Sequence, residues 1–244
     1  MASPCLGYRS LELGMNSVKL DPTKYGLALH TSSPELGLAL NNFSGDSRCQ
    51  TWDLGRDLST HLHHHLAEFI QPQMWADLKF ICVAIGPGSF TGTRIGVVTA
   101  RTLAQQMDIP LFSVSTLASV AWSEAGQQKG DGNSEDSSLS NAIAVQLPAQ
   151  RGQLFTAIYQ VSSSDSGLVQ MLPDSVMTPA AWQQTLDSWH PYQLIDIAAG
   201  AGLGATVSSL LELAYLDWQQ GKRPHWSEAL PFYGQHPVEE KTSG

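Results

Sequence analysis

Short apolar runs and one amphipathic segment dominate the beginning of the chain. Runs rich in strand-forming residues predict β-strands at 25–29, 36–40 and 48–54, an order typical of an antiparallel meander. Leucines at helical spacing then predict a helix over about 55–70, and Pro72 ends it because proline cannot continue a helix. Three strands followed by a helix indicate the start of a mixed α/β architecture.

The clearest pattern in the chain lies between Lys79 and Val114. A short apolar run predicts a buried strand at 80–85, and a glycine-rich turn follows it directly. A helix is predicted from about 93 to 107, and a second buried strand at 111–114. This strand–turn–helix–strand order has the length that a parallel crossover needs.

The rest of the chain predicts a second half with weaker signals. A helix at 116–125 is expected to close the first half, and the Gly-, Ser-, Asp- and Gln-rich segment 126–141 to be a mobile linker. The later elements are predicted as strands at 142–147, 154–161, 168–172 and 194–198 and helices at 178–189 and 205–219. Half-domains at 25–125 and 142–244 follow from this order. Residues 1–24 fit no pattern and are expected to be a disordered extension.

The turn before the central helix has the composition of an anion site. Free amides and the helix dipole both point at such a turn, which here consists of Gly86, Pro87, Gly88, Ser89, Phe90, Thr91 and Gly92. A P-loop is excluded, since the lysine and the spacing of GxxxxGK[ST] are missing. A GxSxG nucleophile elbow is also excluded, because Pro87 and Thr91 stand in place of its glycines. We predict a structural loop in which Ser89 or Thr91 caps the helix.

Two features of the central helix suggest a contact surface. Arg94 lies in the first turn, where the dipole disfavours a cation, so we expect a carboxylate or a bound anion beside it. Gly96, Ala100 and Ala104 recur every four residues and would let another element approach closely. Packing inside the same domain is the favoured explanation from spacing alone. The alternative assigns Arg94, Gly96, Ala100 and Ala104 to a partner-binding face.

The composition of the chain argues against nucleic-acid binding, disulfide bonding and membrane insertion. The chain has 22 acidic and 13 basic residues, a net charge of −9 and no basic cluster, so strong direct binding of a nucleic-acid backbone is not expected. Its three cysteines are widely spaced and form no CxxC pair, which is typical of reduced thiols in a cytoplasmic protein. No apolar run approaches the roughly 18 residues of a membrane span.

The first predicted helix contains four histidines that could ligate a metal. They are His61, His63, His64 and His65. Leu62 occupies the glutamate position of the zinc motif HExxH, so the ligand set is incomplete. A solvated flank of the helix is the favoured explanation, and we assign no metal and no cofactor.

GPGSFTGTRIGVVTARTLAQ at 86–105, followed by IPLFSVSTL at 109–117, closely resembles the signature of the TsaB (YeaZ) family. Looser similarity covers 27–40, 149–155 and 230–240. The resemblance implies an actin-like or RNase H-like (ASKHA) fold and a non-catalytic role in bacterial tRNA threonylcarbamoyladenosine modification. It also implies a heterodimer with the catalytic paralogue TsaD, and the ATPase TsaE as a third member.

The sequence departs from the family where an ATPase would need carboxylates. His30 stands in the first hairpin turn where the family normally carries Asp, and Pro148 stands where relatives have Asp before an Arg–Gly pair. Neither can hold magnesium. The GAGLG turn at 200–204 resembles a nucleotide loop only weakly. We therefore expect a scaffold without catalytic residues. The alternatives are a standalone ATPase or metallopeptidase of the same superfamily, and a self-sufficient homodimer.

Overall fold

Two mixed β-sheets, one in each half of the chain, form the framework of the protein. The computed structural model describes residues 18–130, 142–162, 167–189 and 191–234. The first sheet contains β1 (Tyr25–His30), β2 (Glu35–Asn41), β3 (Ser47–Asp53), β4 (Leu78–Ala84) and β5 (Leu111–Val114), in the order β3-β2-β1-β4-β5. The second contains β6 (Ala142–Pro148), β7 (Leu154–Val161), β8 (Leu168–Met177) and β9 (Tyr192–Asp196), in the order β8-β7-β6-β9.

The two sheets repeat the same strand pairing. In the first, β1 pairs antiparallel with β2 and parallel with β4. In the second, β6 pairs antiparallel with β7 and parallel with β9. Each sheet therefore begins with a meander and adds a parallel strand beside the first one. This is the arrangement of two tandem halves expected from the sequence.

Within the described residues, five α-helices cover the faces of these sheets. They are α1 (Leu58–Phe69), α2 (Phe90–Met107), α3 (Thr116–Gly130), α4 (Pro179–Asp187) and α5 (Val207–Gln219). The leucines of α1 and the small residues of α2 pack together on one face of the first sheet. Helix α4 packs on the second sheet through Trp182 and Leu186.

Helices α3 and α5 are exchanged between the halves, which corrects the sequence analysis. The helix predicted at 116–125 was expected to close the first half, but Leu117 and Ala121 of α3 pack in the core of the second sheet. Conversely, Leu210 and Ala214 of α5 pack against the first sheet beside Phe80. An apolar helix face is covered by whichever sheet the connecting loop allows it to reach, and sequence periodicity does not specify that sheet.

Most predicted boundaries lie within three residues of the observed ones, and α1, for example, begins at Leu58 rather than 55. Helix α2 begins at Phe90 rather than 93, because the Ser89 side chain accepts a hydrogen bond from the Gly92 amide and caps the helix. Strand β8 continues to Met177, five residues beyond its predicted end. Helix α3 continues through Gly130, into the predicted linker. Residues 131–141 of that linker, like residues 1–17, lie outside the described residues. The expectation of disorder is wrong for residues 18–24, because Leu20 is buried in the core and the Val18 amide donates to the Gln219 carbonyl.

The C-terminal strap, residues 224–234, returns to the first half. The Leu111 amide donates to the Pro224 carbonyl at 3.3 Å, and the Phe232 amide donates to the Ile85 carbonyl at 2.7 Å. Between these contacts Ala229 is fully buried in the core of the first sheet. Among the described helices, none combines the length and the apolar character that crossing a bilayer would require.

Candidate functional site

The glycine-rich turn before α2 is filled by the chain itself. The segment that connects β1 to β2, here called the 31–35 turn, lies directly against it. A Cβ atom placed on Gly88 would be 2.1 Å from the Ser32 carbonyl oxygen, and one on Gly92 would be 2.2 Å from the Thr31 carbonyl oxygen. Such distances are far below van der Waals contact, so only glycine permits this close approach of two backbones.

Hydrogen bonds fix the 31–35 turn in this position. The Ser89 amide donates to the Ser32 carbonyl at 2.7 Å, and the Thr31 hydroxyl donates to the Gly92 carbonyl at 2.8 Å. The Thr93 hydroxyl donates to the Ser32 hydroxyl at 3.0 Å. The turn before α2 is therefore a structural joint between two loops, and its geometry is not that of an open anion site.

The second glycine-rich turn, at 200–204, is filled from the same side. The Gly204 amide donates to Glu35 Oε2 at 2.9 Å, and the Leu203 amide donates to Ser33 Oγ at 3.0 Å. A Cβ atom on Gly202 would lie 2.3 Å from the Glu35 carboxylate carbon. The first half thus supplies a carboxylate to amides that could otherwise bind a phosphate.

His30, which immediately precedes the 31–35 turn, is fully buried. Neither ring nitrogen has a hydrogen-bond partner within the described part of the protein. Burial lowers the pKa of His30 to about 4, so the ring is neutral at physiological pH. Pro148 lies at the exposed end of β6. Neither position offers a magnesium ligand.

The structure corrects the assignment of the small-residue stripe to a partner-binding face. Ala100 and Ala104 are fully buried in the core of the first sheet. A Cβ atom on Gly96 would lie 2.1 Å from the Thr31 hydroxyl. The stripe is small because it packs against its own sheet and the 31–35 turn, so these three residues present no surface to another chain.

Arg94 is the member of that predicted face that lies on the surface. Among the described residues, its neighbours are aromatic groups of the same chain. The guanidinium lies 3.8 Å from the centre of the Phe90 ring, and its Nε donates to the Tyr233 hydroxyl at 2.9 Å. Cation–π contact and this hydrogen bond satisfy the arginine at the helix N-terminus and attach the end of the C-terminal strap to α2.

Next to Arg94, an apolar groove of about 450 Å³ lies between α1 and α2. We call it the α1–α2 groove. Its walls include Ser59 and His63 of α1 and Ile95, Val98 and Leu103 of α2. Val98 is 62% exposed and so offers apolar surface at the groove. The sequence analysis missed Val98, although a valine between an inward residue, Val97, and a polar one is a signal for such a surface.

The histidines of α1 lie near one another and also contact other groups. The His65 ring stacks on Trp52 with 4.6 Å between ring centres, and burial lowers the pKa of His65. His64 lies 3.4 Å from Glu68, and His63 lines the groove. Within the described residues, no three His, Cys, Asp or Glu side chains are placed to hold one metal ion.

Comparison with known proteins connects these features to a family. A family model described as TsaD, tRNA N6-adenosine threonylcarbamoyltransferase, matches residues 64–164. The tRNA threonylcarbamoyladenosine biosynthesis protein TsaB of Bacillus subtilis is 40% identical over 111 residues, which cover 45% of this chain and 42% of that protein. The TsaB of Escherichia coli is 31% identical over 87 residues, covering 34% of this chain and 32% of that protein. The matched stretch is thus less than half of either relative.

Solved structures match over a larger share of the chain. YeaZ from Pseudomonas aeruginosa has a TM-score of 0.67 at 21% identity and covers 86% of this chain and 99% of its own. A protein described as similar to peptidase YEAZ from Pseudomonas aeruginosa has a TM-score of 0.67 at 20% identity and covers 87% and 100%. These structures confirm the predicted actin-like/RNase H-like fold of two half-domains. The chain is therefore similar to the TsaB (YeaZ) proteins in its central segment and in its fold, as the signature around the central helix predicted.

Proposed function

We propose that this protein is a non-catalytic cytoplasmic subunit of the machinery that forms N6-threonylcarbamoyladenosine next to the anticodon of tRNA. In this role it binds the catalytic paralogue TsaD and holds it in an active form. The names of the curated relatives support the pathway. The match of a TsaD family model to the centre of the chain supports common ancestry with the catalytic subunit.

The observation that carries the non-catalytic role is the filling of both glycine-rich turns by the 31–35 turn. Amides that would bind phosphate in a nucleotide-hydrolysing relative already have protein acceptors, including the Glu35 carboxylate. His30, at the base of the same turn, is a neutral buried ring. Phosphoryl transfer requires metal-bound phosphates and oriented water, and this arrangement supports neither.

The surface best suited to the paralogue is the α1–α2 groove. Two related chains that share the same helix pair can associate about a pseudo-twofold axis, with each groove facing its counterpart. Val98 would be buried at the centre of such an interface and Arg94 would lie at its rim. Because this chain has a net charge of −9, we expect the partner to bind the phosphate backbone of tRNA.

Co-purification with TsaD of the same organism tests this proposal. A charge introduced by Val98→Asp should abolish the complex, because the carboxylate would be buried without a partner. Val169→Asp is the matched control, since Val169 is 49% exposed on β8 of the other half. TsaE should join the wild-type complex as the third component.

The outcomes separate the alternatives. Loss of TsaD binding by the Val98 variant alone, with unchanged melting of both free variants, supports the proposal. A wild-type chain that forms only a homodimer, measured by light scattering, contradicts the heterodimer while preserving the groove as an interface. Equal TsaD binding by both variants would remove the groove from the interface.

A further inference from the structure

A second cavity, of about 640 Å³, lies where elements of both halves meet. We call it the junction cavity. Its walls come from the end of β5 and the start of α3, from β7 and β8, and from α5. None of the residues that form the 31–35 turn or the α1–α2 groove lines it. The volume is in the range of small-molecule sites.

The polar centre of the junction cavity is a carboxylate held by hydroxyl groups. The Tyr159 hydroxyl donates to Asp174 Oδ1 at 2.7 Å, and Ser115 Oγ lies 3.3 Å from the same tyrosine oxygen. Tyr159 is almost completely buried. These three groups come from α3's N-terminal end, β7 and β8, so the packing of α3 on the second sheet assembles them.

The charge of Asp174 lacks a basic partner among the described residues. Burial raises the pKa of this carboxyl group, and hydrogen bonds from Ser115 and Tyr159 lower it in part, with no basic side chain contributing. Lys222 also lines the cavity, but its Nζ pairs with Asp217 at 2.5 Å. A carboxylate accepts up to about four hydrogen bonds, so Asp174 has acceptor capacity beyond these two hydroxyl donors.

We propose that the junction cavity binds a small organic molecule through a protonated amine that pairs with Asp174. The ammonium group would supply the missing positive charge, and the Tyr159 hydroxyl would keep the carboxylate oriented. The Lys222–Asp217 pair at the other wall accommodates a second charged group of either sign, as in an amino acid or a polyamine. An occupant would contact β8 and α5 together and so connect the second sheet to the helix that covers the first. This site is independent of the TsaD interface.

Calorimetry and thermal melting of the full chain test the proposal, with putrescine as a dicationic probe and alanine as a zwitterionic one. At least one of them should bind and raise the melting temperature at millimolar concentration. 1,4-Butanediol, which matches putrescine without its charges, should not. Asp174→Asn should weaken binding about tenfold or more, equivalent to about 1.4 kcal/mol.

Two further variants keep the test decisive. Ala118→Leu should block binding sterically while leaving the Asp174 charge in place, because Ala118 lines the cavity. Asp196→Asn removes an equal charge from the exposed edge strand of the same sheet and should bind like wild type. Failure of both amines to bind, equal binding of butanediol, or equal losses in the Asp174 and Asp196 variants would overturn the proposal. The last result would indicate unspecific attraction to an acidic protein.

Discussion

The two glycine-rich turns of this protein contact the same 31–35 turn by different chemistry. The turn before α2 packs against the backbone of the 31–35 turn. Glycine is needed at 88 and 92 because carbonyl oxygens of the 31–35 turn lie where side chains would be. The turn at 200–204 packs against side chains of the 31–35 turn. Its amides donate hydrogen bonds to the Ser33 hydroxyl and the Glu35 carboxylate. Both contacts leave no room for a Cβ atom, but the first brings two backbones together, and only the second, here called the electrostatic contact, involves a charged group.

In both turns, the glycines allow another part of the same chain to approach closely. A glycine-rich turn at a helix N-terminus is therefore not by itself evidence of a bound ligand. Both turns have the composition of phosphate loops, and both are occupied by protein atoms. The occupant is the same short segment of the first half, which therefore joins α2 to the second half. Substitutions that disrupt the backbone contact and substitutions that disrupt the electrostatic contact should therefore change stability by different amounts.

The largest effect is expected for Gly92→Ala. Alanine normally stabilises a helix by about 0.5–1 kcal/mol relative to glycine, but here its Cβ would lie 2.2 Å from the Thr31 carbonyl oxygen. We expect a net loss of more than about 3 kcal/mol in the free energy of unfolding, measured in urea. Thr91→Ala, one residue earlier and exposed, is the control and should change little. A Gly92→Ala protein as stable as wild type would show that the joint is loose.

An effect of similar size is expected on acidification, because His30 lies buried at the base of the same turn. Its pKa is lowered from 6.5 to about 4 by burial, so the neutral ring favours the folded state. This contribution is fully present above pH 6.5 and is lost as the pH falls from 6.5 to about 4. Complete loss amounts to about 3 kcal/mol. His30→Leu should flatten the difference between the unfolding free energies at pH 7 and pH 4.5, and an unchanged pH dependence would contradict the prediction.

A smaller effect is expected at the electrostatic contact. Glu35→Ala removes the acceptor of the Gly204 amide and should cost about 1–2 kcal/mol of unfolding free energy. Glu68→Ala, which breaks the exposed contact with His64, should cost less than about 0.5 kcal/mol. If the two variants lose equal stability, the Glu35 contact is no stronger than a surface pair.

The smallest effect is expected in an ATPase assay, since the isolated chain should not hydrolyse ATP. Neutral groups at His30 and Pro148 leave magnesium without carboxylate ligands at these positions. Steady-state phosphate release in the presence of magnesium should equal that of a buffer blank. Turnover above the blank that disappears in the Gly92→Ala or Glu35→Ala protein would show that the glycine-rich turns do serve a nucleotide.

Periodicity predicted the elements well because it depends on local sequence. The strands of the first sheet and the helix after Ser89 lie close to their predicted positions, since alternating or helical burial is visible within a single window. The segment that packs against the glycine-rich turns could not be predicted in this way. Thr31 lies 61 residues before Gly92, and local periodicity does not show that two such distant residues are in contact.

The same limitation explains why the sequence did not predict the surroundings of α2. The small residues of α2 predicted a close contact, but they did not identify the group on the other side. In the structure that group is the protein's own sheet together with Thr31. For Arg94, dipole electrostatics predicted a carboxylate or a bound anion, and the side chain that the structure places beside it is Tyr233 of the strap, 139 residues away. Both outcomes depend on tertiary packing, which overrides a local tendency whenever the distant contact is stronger.

The exchange of α3 and α5 also determines when this protein can fold during its synthesis. A ribosome that has released the five strands of the first sheet has not yet made the helix that covers one of their faces. Ala28, Phe80 and Cys82 are covered by α5 only when residues 207–219 emerge. The first half to be translated is thus among the last parts to be completed, and the nascent chain must keep an apolar sheet face from aggregating until its C-terminal residues arrive.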